Sequence, residues 1–129
     1  MRAALSIALV ALVGACGNDK PAVPSGPDAV VAAWTKAGLT VSPMTPADGT
    51  VLGGGNCRAG TVGGLDVTLC SYTDAHAADS AQAAGLATVG QATGVSLAEG
   101  TQLLVIADRR NTDPSGRTID QLTKIFRGR

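Results

Sequence analysis

The chain has 129 residues, a formal net charge of zero and 45% hydrophobic residues, but only 2% aromatic ones. This length predicts one domain at most. A neutral chain without a long basic stripe or aromatics that stack on bases argues against nucleic-acid binding. Because Trp34, Tyr72 and Phe126 are the only aromatic residues, aliphatic residues and alanines must fill the core, which favours slim helices packed closely on a sheet.

The N-terminus has the layout of an export signal. Met1 and Arg2 precede an apolar run from Ala3 to Ala15. This run is too short to span a membrane as a helix of about 20 residues, but it suits the core of a signal peptide. It ends in Val-Gly-Ala-Cys at residues 13–16, which resembles the lipobox of bacterial lipoproteins.

The resemblance to bacterial lipoproteins covers residues 1–16. It implies that residues 1–15 are removed as a signal peptide and that Cys16 Sγ receives a diacylglycerol, often with a further acyl chain on the new amine. Each buried CH₂ contributes about 0.8 kcal/mol, so two or three chains hold a protein on a membrane. The expected location is the cell envelope, at the periplasmic side of the outer membrane if the cell is Gram-negative. The alternative is an ordinary signal peptide in which Cys16 is incidental.

A tether and a first helix follow the predicted lipid site. Residues 16–27 are rich in proline and glycine, which is typical of a flexible linker, and residues 17–27 reach about 35 Å when extended. Residues 28–129 predict a single small α+β domain. Its first helix begins near Asp28 and ends at Gly38. The alternating residues 39–42 predict a short strand, and residues 43–56 a loop, with a brief strand at 50–52 as an option.

Residues 57–70 predict a β-hairpin closed by a disulfide. Two glycines at 63–64 suit a two-residue turn and place Val62 opposite Leu65. The same register places Cys57 opposite Cys70 in a non-hydrogen-bonded pair, where Cα atoms lie roughly 4.5 Å apart, within disulfide reach of about 4.4–6.8 Å. Export permits such a bond.

The alternative role for these cysteines is metal binding or redox chemistry. Their spacing is not Cys-x-x-Cys, and the single His76 does not complete a four-ligand zinc site, so the disulfide is preferred. Strand alternation directs four apolar residues towards the core and both cysteines to the other, more polar face. Those four are Val62, Leu65, Val67 and Leu69.

The chain from residue 73 to residue 92 predicts one long Ala-rich helix. Thr73 or Asp74 caps it, Leu86 and Val89 are its clearest buried positions, and His76 lies exposed in the first turn. Residues 93–100 predict a connection. The apolar run 102–108 predicts a central strand covered on at least one face.

Residues 113–116 have the composition of a type I turn, and Thr118 with Gln121 predicts a capping box. The final helix carries an apolar stripe that includes Ile119 and Leu122. The predicted order is α-β-ββ-α-β-α. We therefore expect an antiparallel sheet of about four strands with helices packed on one face.

Few residues offer catalytic chemistry. The chain has one His, His76, and one Glu, Glu99, although nucleophilic catalysis usually needs a base beside the nucleophile. No Gly-x-Ser-x-Gly, P-loop or dinucleotide-binding motif is present. The sequence therefore predicts no catalytic residue, no metal and no cofactor.

The loop after the apolar strand holds the remaining candidates for binding. Four residues carry oxygens of the kind that calcium binds: Asp108, Asn111, Asp113 and Ser115. Their spacing is not that of an EF-hand, and the neighbouring arginines oppose a cation. Three guanidinium groups could instead bind an anion such as a lipid headgroup or a cell-wall carboxylate: Arg109, Arg110 and Arg117. The simpler alternative is that all these residues form turns and solvated charges.

Three functional hypotheses follow. The favoured one is a non-enzymatic, lipid-anchored envelope protein that binds or modulates another envelope protein. The second is a module that binds an anionic small molecule or glycan, either at the Arg109–Arg117 loop or in a cleft beside residues 49–55. The third is a small hydrolase. An exposed apolar patch would favour the first hypothesis, and a concave pocket with converging arginines would favour the second.

Overall fold

The computed structural model describes residues 26–128, which form a five-stranded antiparallel sheet with helices on both faces. The helices are α1 (Pro27–Lys36), α2 (Ala75–Ser80), α3 (Gln82–Val89) and α4 (Arg117–Phe126). The strands are β1 (Thr45–Ala47), β2 (Asn56–Val62), β3 (Leu65–Ser71), β4 (Thr93–Glu99) and β5 (Gln102–Asp108). Their order across the sheet is β1-β2-β3-β5-β4. The predicted α+β class is confirmed, with five strands rather than four.

The predicted signal peptide, Cys16 and most of the tether lie outside the described residues. Within those residues, no helix combines the length and the apolar character that crossing a membrane requires.

The hairpin of β2 and β3 has the predicted register. Val62 pairs with Leu65, and Cys57 pairs with Cys70. Gly63 and Gly64 have φ angles of 58° and 84°, the positive values that a two-residue turn of this kind requires. The two cysteines form the predicted disulfide, with their Cα atoms 4.0 Å apart.

One face of the sheet packs against α1 and α4 through large side chains. Trp34 of α1 and Phe126 of α4 are fully buried there, against a layer of Leu, Val and Ile from β3, β4 and β5. The Trp34 Nε1 donates a hydrogen bond to the Leu122 carbonyl oxygen at 3.2 Å, so the ring links the two helices as well as filling the core. This face contains the four hairpin residues that were predicted to face inward.

The other face is also covered, which corrects the expectation of helices on one face only. Cys57 and Cys70 are buried rather than on a polar face, in a second core with Leu103, Val105 and Val89. The physical reason lies in β5, which is buried along its whole length. Its side chains on this face need an apolar cover as well, and α2 and α3 supply it.

The two short strands predicted before the hairpin are wrong in position. Residues 39–42 form only an isolated bridge, Val41 with Val62, while β1 lies in the segment predicted as a loop. Residues 50–52 form a 3₁₀ turn instead of a strand. A strand of three residues containing Pro46 depends on its pairing with β2, so its own sequence pattern carries little signal.

The predicted long helix divides at Ala81 into α2 and α3. The cap is confirmed, because the Asp74 carboxylate accepts a hydrogen bond from the Ala77 N–H at 2.8 Å. Val89 is buried as predicted, but Leu86 is 57% exposed, so that expectation was wrong. Because the apolar residues of α3 are spread around the helix rather than in one stripe, periodicity could not show which side faces the sheet.

The segment predicted as a connection, 93–100, is mostly strand β4. It pairs with β5 along its whole length across a tight turn at residues 100–101. Gly94 and Gly100 made this segment resemble a loop, whereas its strand conformation depends on the partner strand.

The entry to α4 differs from the predicted capping box. The turn at 113–116 is present, with the Gly116 N–H donating to the Asp113 carbonyl at 3.0 Å. Gly116, not Thr118, is the N-cap residue. The buried Asp113 carboxylate accepts hydrogen bonds from the Thr118 and Ile119 N–H groups at 3.2 and 2.9 Å, which satisfies the donors at the start of the helix.

Candidate functional site

The predicted anion-binding arginines are partly engaged by an acid of the chain itself. Arg110 Nη1 lies 3.1 Å from Asp66 Oδ1, and Arg109 Nε lies 3.5 Å from Asp66 Oδ2. Arg109 also donates to the Thr88 carbonyl at 2.8 Å, at the C-terminal end of α3, where a cation is favoured by the helix dipole. These two arginines therefore attach α3 and the hairpin to the end of β5.

Arg117 is different, because it is exposed in the first turn of α4 and makes no hydrogen bond or ion pair with another described residue. The structure thus brings two of the three predicted arginines together on one carboxylate. It leaves Arg117 as a single solvated charge.

Of the four residues considered for calcium, Asp108 and Asp113 hold the loop together through their carboxylates. The Asp108 carboxylate accepts hydrogen bonds from the N–H groups of Thr112 and Asp113, both at 2.9 Å. The bond from Asp113, together with those from Thr112 and Arg110, holds the pKa of Asp108 below its usual range in spite of its burial. Among residues 26–128, no group of three or more His, Cys, Asp or Glu is arranged to hold a metal ion. These carboxylates therefore order the loop between β5 and α4.

A cleft does lie beside the 49–55 loop, as the second hypothesis required. Its volume is about 280 Å³, and it is bounded by the 3₁₀ turn, the end of α3, and strands β3 and β5. Its charged lining residues are Asp48, Asp66 and Arg109. Hydrogen bonds from the Thr50 hydroxyl and N–H lower the pKa of Asp48, so this acid is ionised at neutral pH. Two carboxylates facing one arginine do not form a site for an anion.

A second, more open cleft of about 430 Å³ lies between α1 and residues 41–44. Its charged lining residues, Asp28 and Arg58, form an ion pair with each other. The pair neutralises the charges at this position, and the rest of the lining is a mixture of short polar and apolar side chains.

The outward side of α3 is apolar and exposed. The helix reads Gln-Ala-Ala-Gly-Leu-Ala-Thr-Val, and Gly85 and Val89 face the sheet. Leu86 is 57% exposed, and Val51 of the 3₁₀ turn, which lines the same cleft as Thr88 of α3, is 68% exposed. We call the exposed residues of this layer the α3 surface: Val51, Ala83, Leu86 and Ala87.

Sequence reasoning missed the α3 surface because Leu86 was assigned to the core. One sequence signal could have indicated this surface: the apolar residues of the segment are spread around the helix instead of forming one stripe. A helix of this kind has more apolar surface than one sheet can cover.

The groups considered for hydrolysis are not assembled into a triad. His76 is exposed, as predicted, and forms no hydrogen bond with another described residue. Glu99 lies at the far end of β4. Comparison of the chain with protein-family models, curated proteins and solved structures gives no match. Its function is therefore inferred from the surfaces described above.

Proposed function

We propose that this protein is a lipid-anchored component of a bacterial cell envelope whose domain acts by binding another protein rather than by catalysis. The observation that carries the proposal is the α3 surface, which contains Leu86 of α3 and Val51 of the neighbouring 3₁₀ turn, the most exposed large apolar side chains among residues 26–128. An exposed apolar patch is a common feature of protein-binding sites.

The predicted anchor supports the same function. Lipid on Cys16 and a tether of about 35 Å would keep the domain close to the membrane surface, where a partner in the same envelope would meet it. Tethering raises the effective concentration of the two proteins for each other, so a small apolar patch is sufficient for a useful affinity.

The binding of an anionic ligand receives less support. Arg109 and Arg110 already share Asp66, and the cleft beside the 49–55 loop is lined by two acids. An anion would have to displace Asp66 from both arginines before it could bind them.

The proposal is tested by photocrosslinking in living cells. A photoreactive amino acid replaces Val51, Ala83 or Leu86 in the full-length chain, and Lys124, which is exposed on α4 at the opposite face of the sheet, serves as the control position. We expect a reproducible protein adduct from the α3 surface and none from Lys124. Leu86→Lys should abolish the adduct formed at Val51 if both residues belong to one interface.

The anchor is tested separately. Cys16→Ala should move the chain out of the membrane fraction and remove a lipid-modified peptide from its mass spectrum. A chain that stays on the membrane with Cys16→Ala would contradict the lipid anchor. A co-purifying glycan with no protein adduct at any α3 position would contradict the protein-binding role.

A further inference from the structure

The two edges of the sheet differ in how they are protected. The β1 edge is three residues long and has Pro46 at its centre, and short length and proline both discourage a further strand from pairing. The β4 edge has seven residues, Thr-Gly-Val-Ser-Leu-Ala-Glu, without proline or lysine. A strand of this length presents a row of backbone groups to any extended partner.

The contact at Ala98 shows which backbone groups of β4 point outward. The Ala98 N–H donates to Gln82 Oε1 at 2.8 Å rather than to β5. In an antiparallel strand, outward and inward groups alternate, so the N–H and C=O of Gly94 and Ser96 also point away from β5. No residue between 26 and 128 forms a hydrogen bond with these outward groups.

The same edge lies beneath the exposed leucine of α3. The helix runs antiparallel to β4, since Gln82 contacts Ala98 while Val89 lies against Gly94. Leu86 is one turn beyond Gln82 and therefore on the same side of the helix. Leu86 therefore lies on the β4 side of α3, with a side chain that is 57% exposed.

We propose that this edge binds a second copy of the chain, with β4 pairing antiparallel to β4 across a two-fold axis. The proposed register places Val95 opposite Val95 of the partner subunit. Gly94 then exchanges backbone hydrogen bonds with Ser96 of the partner subunit. By symmetry, Ser96 exchanges the same bonds with Gly94 of the partner subunit. The Ala98 N–H keeps its bond to Gln82. Two five-stranded sheets become one continuous sheet.

A second copy fits this edge because the edge is complementary to itself. Residues 93–98 carry no charge. In this register Glu99 lies opposite Gln91 of the partner subunit, so no like charges face each other. The two α3 helices flank the junction on one face, where their small residues permit close approach, and each Leu86 becomes covered. Such an isologous arrangement is the commonest form of dimer. The inference rests on the proposed interaction role and specifies one partner for it.

Disulfide trapping in the full-length chain tests the register. Val95→Cys places a thiol on the two-fold axis in a non-hydrogen-bonded pair, where the Cα atoms lie roughly 4.5 Å apart, within disulfide reach of about 4.4–6.8 Å. Thr93→Cys is the matched control, because the two copies of this residue are offset by four positions, about 13 Å along the strand. Under mild oxidation in membranes we expect a covalent dimer from Val95→Cys and none from Thr93→Cys. Equal dimer yields from both variants, or none from either, would overturn the proposal.

The affinity is tested on the same chain in mild detergent by analytical ultracentrifugation. Ser96→Pro removes an outward N–H without touching the bonds to β5, and Leu86→Lys charges the apolar flank. Each should raise the dimer dissociation constant at least about tenfold, given the apolar area lost with one leucine and the blocked edge. Gln121→Lys, which adds the same charge at an exposed position of α4 on the opposite face of the sheet, should leave it unchanged.

The mass of the complex shows whether the chain binds a second copy of itself, as inferred here, or a different envelope protein, as the proposed function allows. A chain that is monomeric at every concentration, with Val95→Cys uncrosslinked, would reject self-pairing even if a different protein is captured at Val51. A dimer lost in both edge variants, with no other protein captured, would support self-pairing and reject a separate envelope partner. A monomer in which residues 1–25 crosslink to β4 would show that the chain covers its own edge, and it would also reject the proposal.

Discussion

The two faces of the sheet are stabilised in different ways. The face under α1 and α4 is filled by large side chains, with Trp34 and Phe126 at its centre. The face under α2 and α3 combines Leu103, Val105 and Val89 with smaller groups: buried alanines, a buried glycine and a disulfide. The first face gains stability from apolar volume, whereas the second gains it from close approach of the backbones and from a covalent link. A chain with three aromatic residues can therefore cover both sides of a sheet.

The largest expected effect is on the large-residue face. Trp34→Ala should lower the free energy of unfolding by about 3–5 kcal/mol, because Trp34 is fully buried and also donates to the Leu122 carbonyl. Urea unfolding followed by circular dichroism measures the loss. Lys36→Ala, an exposed change in the same helix, should stay within about 0.5 kcal/mol. A similar loss in both variants would mean that α1 itself, and not the tryptophan, is being destabilised.

On the small-residue face the disulfide should have the next largest effect. Replacing Cys57 and Cys70 together by alanine should lower the free energy of unfolding by ~3 kcal/mol, because the closed loop no longer restricts the unfolded chain. Cys16→Ala is the matched control and should leave the stability of the domain unchanged. If the double variant kept wild-type stability, the close packing of α3 alone would hold this face together.

Gly85→Ala tests the close approach of α3 to the sheet. A Cβ at this position would lie 2.2 Å from Ser96 Oγ and 2.9 Å from Val105 Cγ2. Overpacking of this kind should cost about 1–3 kcal/mol, opposing the gain of about 1 kcal/mol in helix propensity from glycine to alanine. The loss measured by urea unfolding should be smaller in a Ser96→Ala background, which removes the nearest atom. A net stabilisation by Gly85→Ala would show that α3 can move away from β4 without loss.

The smallest effect concerns the Asp108 loop, which leads from β5 to α4. Because hydrogen bonds from Asp113 and its neighbours lower the pKa of Asp108 in the folded state, its stabilising contribution is complete above the unfolded pKa of about 3.9. It is lost as the pH falls through the folded pKa. We expect the melting temperature to decrease below about pH 4, and to decrease less steeply in Asp108→Asn.

The exposed Asp48 provides the comparison for that measurement, since its pKa is also lowered, by hydrogen bonds from Thr50. Asp48→Asn should change the decrease in melting temperature at acidic pH less than Asp108→Asn does, because Asp48 orders only a local turn. An equal change in both variants would place the acid sensitivity in local turns rather than in the connection to α4.

The two faces of the sheet also differ in how well they could be predicted from the sequence. The large-residue face was predictable, because Val30 and Trp34 recur at helical spacing and the inward residues of the hairpin alternate. On the small-residue face the disulfide and the burial of Val89 were predictable, but the orientation of α3 was not, since its alanines and glycine form no apolar stripe. For that reason the sequence predicts a buried Leu86, whereas this side chain is exposed. The candidate site on α3 was missed along with the face that supports it.

What could be derived from the amino acids alone was local in origin. The two glycines at 63–64 permit a single tight turn, and the turn sets every pair of the hairpin out to Cys57 and Cys70. The class of the fold follows from the same short-range patterns.

Other features depend on contacts between residues that are distant in the chain. They are the position of β4, the break between α2 and α3, and the exposure of Leu86. Pairing with β5 makes residues 93–99 a strand, and the contact of Gly85 with Ser96 orients α3. Both require a neighbour that exists only after the chain has folded, so no periodicity within the segments could have shown them.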